Sequence, residues 1–422
     1  MRMPALVVLL TGLSAISSQS QPQEGDLIAT SSYGGNGYVV YLNPASPQSL
    51  TSLVRSTNPA SWVRMAANNT DVTVREHVWP PGGTQLVSYV PNGTSRFLVR
   101  GACGLSGFEL DHDGRWVGVA AGISTSLGSF LGVHEATGAV TTLFTCQYFS
   151  ATDVAIDRDP GGMPFAVSAI RCNPTTCEWG LVWNDLQGRE TWLLPPAGSW
   201  GGGIELHPRS GDYILPYYLA KNAGSPCVAR VSRAGVVTTL VSFDATAARV
   251  TQDDHVWLSG TAGLLQYDLS GNAVVTLVPH RPPGSFGSGI EVYGSRRLVC
   301  EQPPAAPHSV TVTVQSRKPG DAHQTFQLAC SVARRPGLRF ANGEWLDLDV
   351  NHPLFALTAL NLAPSVFRGF YGTTDARGNA TATVSLLGGW PPNLGLTIFV
   401  AGVIYDHTGV RTVTNTHWFV AN

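Results

Sequence analysis

One segment recurs along most of this chain at an interval of about 45 residues, and that period constrains the fold more than any other feature. Each unit opens on a short apolar strand with a charged or small residue at its centre: Val63-Arg64-Met65, Phe108-Glu109-Leu110, Val154-Ala155-Ile156, Ile204-Glu205-Leu206, Ala248-Arg249-Val250 and Ile290-Glu291-Val292. Measured from their first residues the steps are 45, 46, 50, 44 and 42. A polar turn follows, as in Asp111-His112-Asp113-Gly114 and His207-Pro208-Arg209-Ser210-Gly211, then a second strand and a hairpin-like pair ending in runs such as Val236-Val237-Thr238-Thr239-Leu240. Four strands per unit cannot bury two faces alone, so successive units must stack on one another.

Composition agrees. Hydrophobic residues make up 43% and charged residues 13%, with 46 Gly and 28 Pro punctuating short Val, Leu, Thr and Tyr runs. That is the pattern of an all-β chain with many turns. The expected fold is a six-bladed β-propeller over residues 21–302, followed by a small C-terminal β-sandwich over residues 309–422. The first unit, Asp26 to Arg55, lacks a preceding inner strand, and Ile290 to Val292 is placed to supply it and close the ring. Arg297 to Glu301 also reads as a strand and would seed a seventh blade. The Pro-rich run at residues 303–308 is expected to be a semi-rigid linker. Beyond it strand-like segments continue, including Val310 to Val314, Leu396 to Ile404 and a single long run from Arg411 to Val420. Leu348 to Leu362 suits a short helix capped by Asn351.

The repeats resemble those of secreted propellers of the NHL-repeat, gluconolactonase-like and streptogramin-lyase-like group. The likeness rests on the apolar-x-apolar-Asp-x-Asp-Gly shape between about Asp26 and Gln302. It implies a central channel whose mouth receives ligands. The C-terminal part is similar to a module carried by many uncharacterised secreted bacterial proteins, through Pro364 to Phe370, Asp375 to Thr381 and Gly395 to Ala401. No catalytic residues come with that likeness.

Residues 1–20 read as a signal peptide: Arg2, an apolar run from Ala5 to Ile16, then Ser17 to Ser20. The run is too short to cross a bilayer, so the expectation is a secreted, extracytoplasmic protein without membrane insertion. A net charge of −2 with no basic block argues against nucleic acid as a partner. Seven cysteines suit an oxidising compartment. Cys172 and Cys177 bracket a turn and are expected to form a disulfide; Cys103 and Cys146 are a second candidate pair.

Chemistry is expected near the channel. The centres of the inner strands read Arg64, Glu109, Ala155, Glu205, Arg249 and Glu291, five of them charged in a charge-poor chain. Glu109, Glu205, Glu291 and the nearby Asp153 are the catalytic candidates. Arg64 and Arg249 are candidate ligand contacts, with Trp62, Trp200 and Phe286 as aromatic platforms at the mouth. The same charges also suit ion pairs between blades. No serine-hydrolase, zinc-protease or phosphate-loop motif occurs. The leading functional expectation is therefore a secreted, non-catalytic binding or scaffold protein. It would hold a protein, glycan or small-molecule ligand at the propeller mouth and need no cofactor. The alternative is a hydrolase or lyase, either metal-dependent with one divalent metal in the channel or carboxylate-dependent, acting there on a lactone or sugar-derived substrate.

Overall fold

The computed structural model describes residues 22–421 except 23–24, 34–35, 44–50, 57, 79–82, 91–93, 100–104, 112–114, 121–127, 147–149, 158–163, 173–176, 200–201, 219–225, 252, 261, 280–284, 303–307, 317, 319 and 386–394. Among these, six four-stranded antiparallel sheets follow the repeat. Their inner strands are Ser285–Val292, Ala60–Met65, Leu105–Leu110, Ser150–Ile156, Glu205–Leu206 and Ala245–Val250. In five sheets the strands run outward in sequence order. The remaining sheet is closed by the two ends of the propeller: Ser285–Val292 pairs with Leu27–Tyr33, matching Ile290 to Ala29 and Glu291 to Ile28.

Why the sheets form a ring is visible in the packing. Each meets the next through its own apolar cluster, such as Phe130, Phe165 and Val167 between the third and fourth sheets, or Phe108, Trp116 and Leu86 between the second and third. A further cluster joins the sixth sheet to the first, through Trp257, Leu264, Leu27 and Ile290. No sheet has to leave a face to water, which is what the repeat demanded.

The segment that would seed a seventh blade does something else. Leu298–Glu301 pairs with Ser309–Gln315, and these join Asn379–Ser385 and Phe367–Arg368 in one sheet of the C-terminal unit. That unit therefore begins before the Pro-rich run, which connects two strands of one sheet. The second sheet contains Tyr371–Thr373, Thr325–Ser331, Leu396–Asp406, Gly409–Val413 and His417–Ala421. Val312, Val384 and Cys300 of one sheet share a core with Leu328, Val400 and Phe419 of the other.

Two local expectations need correction. The run from Arg411 to Val420 is two strands, because Thr414 donates its N–H to Gly402 while Asn415 turns aside to bond both backbone groups of Leu298. The helix, Pro353–Ala359, is capped not by Asn351 but by His352, whose Nδ1 accepts the Leu354 N–H at 3.2 Å.

Candidate functional site

The inner strands deliver their central side chains to the propeller axis, where they meet a chain segment returning from the first sheet. Arg64 is 1% exposed. Its Nε donates to Glu109 Oε2 at 3.2 Å and its Nη2 to Asp153 Oδ2 at 2.9 Å, with Glu205 Oε1 3.6 Å away. Arg249 answers from the other side, 2.8 Å from both Glu205 and Glu291 and 3.6 Å from Glu109. Both guanidiniums thus reach across the axis as well as to neighbouring sheets.

Asp153 completes the ring by substitution. Its sheet has Ala155 where the others have a charge, and a bulge between Ala151 and Asp153 turns the carboxylate two residues upstream into the gap. The matching position on the neighbouring strand is Gly107, where a Cβ would lie 2.1 Å from Asp153 Oδ1 and 2.2 Å from its Cα. Glycine is therefore required there for the backbone approach. Asp153 also accepts from the N–H groups of Val154 and Ile204.

Two contributors were not visible in the sequence. Arg296, on the turn after the last inner strand, bonds Glu109 Oε1 at 2.6 Å and the Met65 carbonyl at 2.6 Å. Asn69 has a left-handed backbone (φ 53°), accepts the Arg296 N–H and donates to the carbonyls of Gly294 and Gln315. The signal was the charged pair Arg296-Arg297 directly after a Gly-Ser turn, but only closure of the ring carries it to the axis.

The candidate catalytic residues Glu109, Asp153, Glu205 and Glu291 and the arginines Arg64 and Arg249 do converge, as one network of three guanidiniums and four carboxylates. The mouth aromatics do not form a described platform. Trp62 is buried with Arg75 5.0 Å over its ring, Trp200 lies outside the described residues, and Phe286 is placed only by its pairing with Ser31. Cys172 and Cys177 are register partners at the end of their hairpin, Cys146 is buried, and Cys103 lies outside the described residues.

A divalent metal does not fit this ring. Guanidiniums already engage all four carboxylates, and among the described residues no three His, Cys, Asp or Glu side chains group as metal ligands. A cation added at the axis would have to displace arginines from buried partners.

The carboxylates are not equivalent. Burial by itself raises Glu109, but Arg296, Arg249 and Arg64 outweigh it and hold it down to about 2. Burial wins at Glu205 and pushes it up to about 7 against the pull of Arg249 and Arg64. Asp153 is also raised by burial, despite Arg64. Two residues beyond Glu205, burial lowers His207 to about 4, helped by Arg209 and Arg230; its Nε2 lies 2.9 Å from Asp254 Oδ1.

Glu205 and His207 therefore drive stability in opposite directions with pH. A carboxyl raised from 4.5 to about 7 in the fold stabilises below pH 4.5 and loses that contribution as pH rises to 7. A histidine lowered from 6.5 to about 4 stabilises above pH 6.5 and loses that contribution as pH falls to 4. Each amounts to a few kcal/mol on the order of magnitude, and they offset one another between pH 4.5 and 6.5. In Glu205→Gln the melting temperature should fall by several degrees from pH 6.5 to 4.5; in His207→Gln it should rise. Parallel profiles for both variants and the parent would refute the assignment.

The C-terminal unit sits on the propeller face that carries the turns after the inner strands. Gln315 donates to the Ala67 carbonyl, Arg297 to the Val413 carbonyl at 2.6 Å, and Arg209 lies 4.0 Å over the Trp345 ring. Between the two lies a cleft of about 610 Å³, with Glu205 and Arg249 on the propeller side.

Fold and site together define a class: a β-propeller whose axis is bridged by ion pairs and whose turn face carries a two-sheet β unit. No protein-family model matches the chain, and no curated protein matches its sequence. Among solved structures it is similar to TolB from Acinetobacter baumannii, with 13% identity over 64% of this chain and 68% of that one and a TM-score of 0.49. It is also similar to a chain of a nidogen/laminin complex (11% identity, 63% and 98% covered, TM-score 0.48). A gluconolactonase from Xanthomonas campestris shows 13% identity, 70% and 96% coverage and a TM-score of 0.41. These are β-propeller proteins, in line with the resemblance read from the repeats. At these identities and TM-scores the likenesses carry no inference about function, and the fold stands on the sheets described above.

Proposed function

We propose that this chain is an exported, non-catalytic binding or scaffold protein in which the propeller axis is a structural lock. One observation carries the reading: the channel carboxylates that a hydrolase would need are bonded to Arg64, Arg249 and Arg296 across the axis. Groups held this way are already satisfied and keep neighbouring sheets in register. Export is supported by the leader-like start of the sequence, and the Cys172–Cys177 disulfide by their opposed register.

A second reading has its own support. Glu205 near 7 and Glu109 near 2 are split as an acid and a base would be, and Glu205 borders the cleft. Turnover separates the two. Purified protein offered aldonolactones, with and without calcium, magnesium or zinc, is expected to show no rate above the uncatalysed reaction. Lactone hydrolysis abolished by Glu205→Gln without a fall in melting temperature would replace the binding reading with the hydrolytic one.

A further inference from the structure

We infer that the cleft between the propeller and the C-terminal unit is a binding site for an acidic saccharide, one or two hexuronate-sized residues long. The inference rests on the binding reading above and places the ligand on the face opposite the channel mouth. Its volume, about 610 Å³, is in the range of sites that enclose small ligands, and such sites favour domain interfaces.

The wall chemistry names the class. Most lining residues are polar or charged, with Thr251, Asn342, Asn415 and Thr416 among them, so the cleft offers the directional donors and acceptors that hydroxyl groups require. The propeller wall carries an exposed acid, Asp253, 50% exposed, whereas the accessible charge of the C-terminal wall is positive. Lys318 and Arg411 each leave 34% of their side chains exposed, whereas the acids that hold them lie deeper: Glu344 at 14%, Asp406 at 11% and Asp321 at 1%. Ammonium and guanidinium heads supported from below by buried carboxylates face the cleft at defined positions, and such heads pair with a carboxylate.

The site is also built in advance. Within the C-terminal wall Arg297 and Lys318 bond one Glu344 oxygen, each at 3.1 Å, and between the units Gln315 donates to the Ala67 carbonyl while its own carbonyl accepts from Asn69. The walls therefore come from both units but are fixed to each other before any ligand arrives, which lowers the ordering cost of binding.

The test is calorimetric titration of the full chain with D-galacturonate and its α-1,4-linked dimer, alongside D-galactose and inorganic phosphate. The uronates are expected to bind at least about tenfold more tightly than galactose or phosphate. Lys318→Gln and Arg411→Gln should each weaken uronate binding by about tenfold or more. Because both residues also hold Glu344 or Asp321, Gln266→Trp provides a second variant: it fills the cleft from the propeller side, removes no charge, and should abolish binding while moving the melting temperature less than either charge variant. No uronate binding at millimolar concentration would overturn the inference, as would equal binding of galactose or phosphate. Uronate binding untouched by all three variants would overturn the placement while leaving the binding reading intact. Turnover of lactones would instead strike at that reading.

Discussion

Replacing Arg64 by Met is expected to destabilise the protein by about 3–5 kcal/mol at neutral pH, the range seen when one partner of a buried ion pair is removed. The methionine keeps most of the side-chain volume, so the loss is electrostatic. Asp153 is left in a buried site without the guanidinium that bonds it, and Glu109 loses one of its guanidiniums. A stranded carboxyl protonates, and the sign follows. With Arg64 gone the folded-state value of Asp153, already raised by burial, rises further. Its contribution is intact at low pH and is lost as pH climbs through that raised value. The deficit of Arg64→Met against the parent should therefore widen from pH 5 to pH 8, measured as the difference in urea midpoint. Adding Asp153→Asn should recover part of the loss, because the two residues share one bond. A deficit below about 1 kcal/mol would show that the axis is solvated and the lock does not exist.

The second large effect is expected at Trp116. It is fully buried, packs edge-on against Phe108 at 5.2 Å, and lies under the Arg296 guanidinium at 5.6 Å. Truncation to Ala empties the interface between the second and third sheets and should reduce stability by about 3–5 kcal/mol. It also removes the surface on which Arg296 rests while bonding Glu109, so packing and axis fail together. Trp116→Phe is the informative control. The indole N–H is buried with no acceptor among the described residues, so Phe forfeits ring area but sheds an unsatisfied donor. Its loss is expected to be less than about half that of the alanine variant. Equal losses for Phe and Ala in thermal unfolding would mean that the indole N–H matters more than the packing.

Both predictions depend on residues that were unequally legible in the sequence. The inner strands could be read because their period is carried by apolar residues, and the period alone requires stacked four-stranded units. Glu291 could be assigned to the closing strand because the first unit visibly lacked one. The charged ring could be read because Arg64, Glu109, Glu205, Arg249 and Glu291 recur at one position in a chain that otherwise spends few charges. Trp116 was invisible as an anchor, since a tryptophan on a second strand carries no mark of what it faces.

What the sequence by itself determined is the periodic part: an all-β chain, its repeat, its closing strand, and which position of each unit points inward. These follow from local alternation, which a strand imposes wherever it is placed. What only the tertiary structure decided is who meets whom. Asp153 reaches Arg64 because a bulge and Gly107 let it; Arg296 comes back to Glu109 because the ring closes; Leu298–Glu301 leaves the propeller because Ser309–Gln315 offers it a longer partner. The cleft exists because two units meet face to face. The axis and cleft contacts have no local signature, for each joins residues far apart in the chain, and only the packed fold fixes such distances.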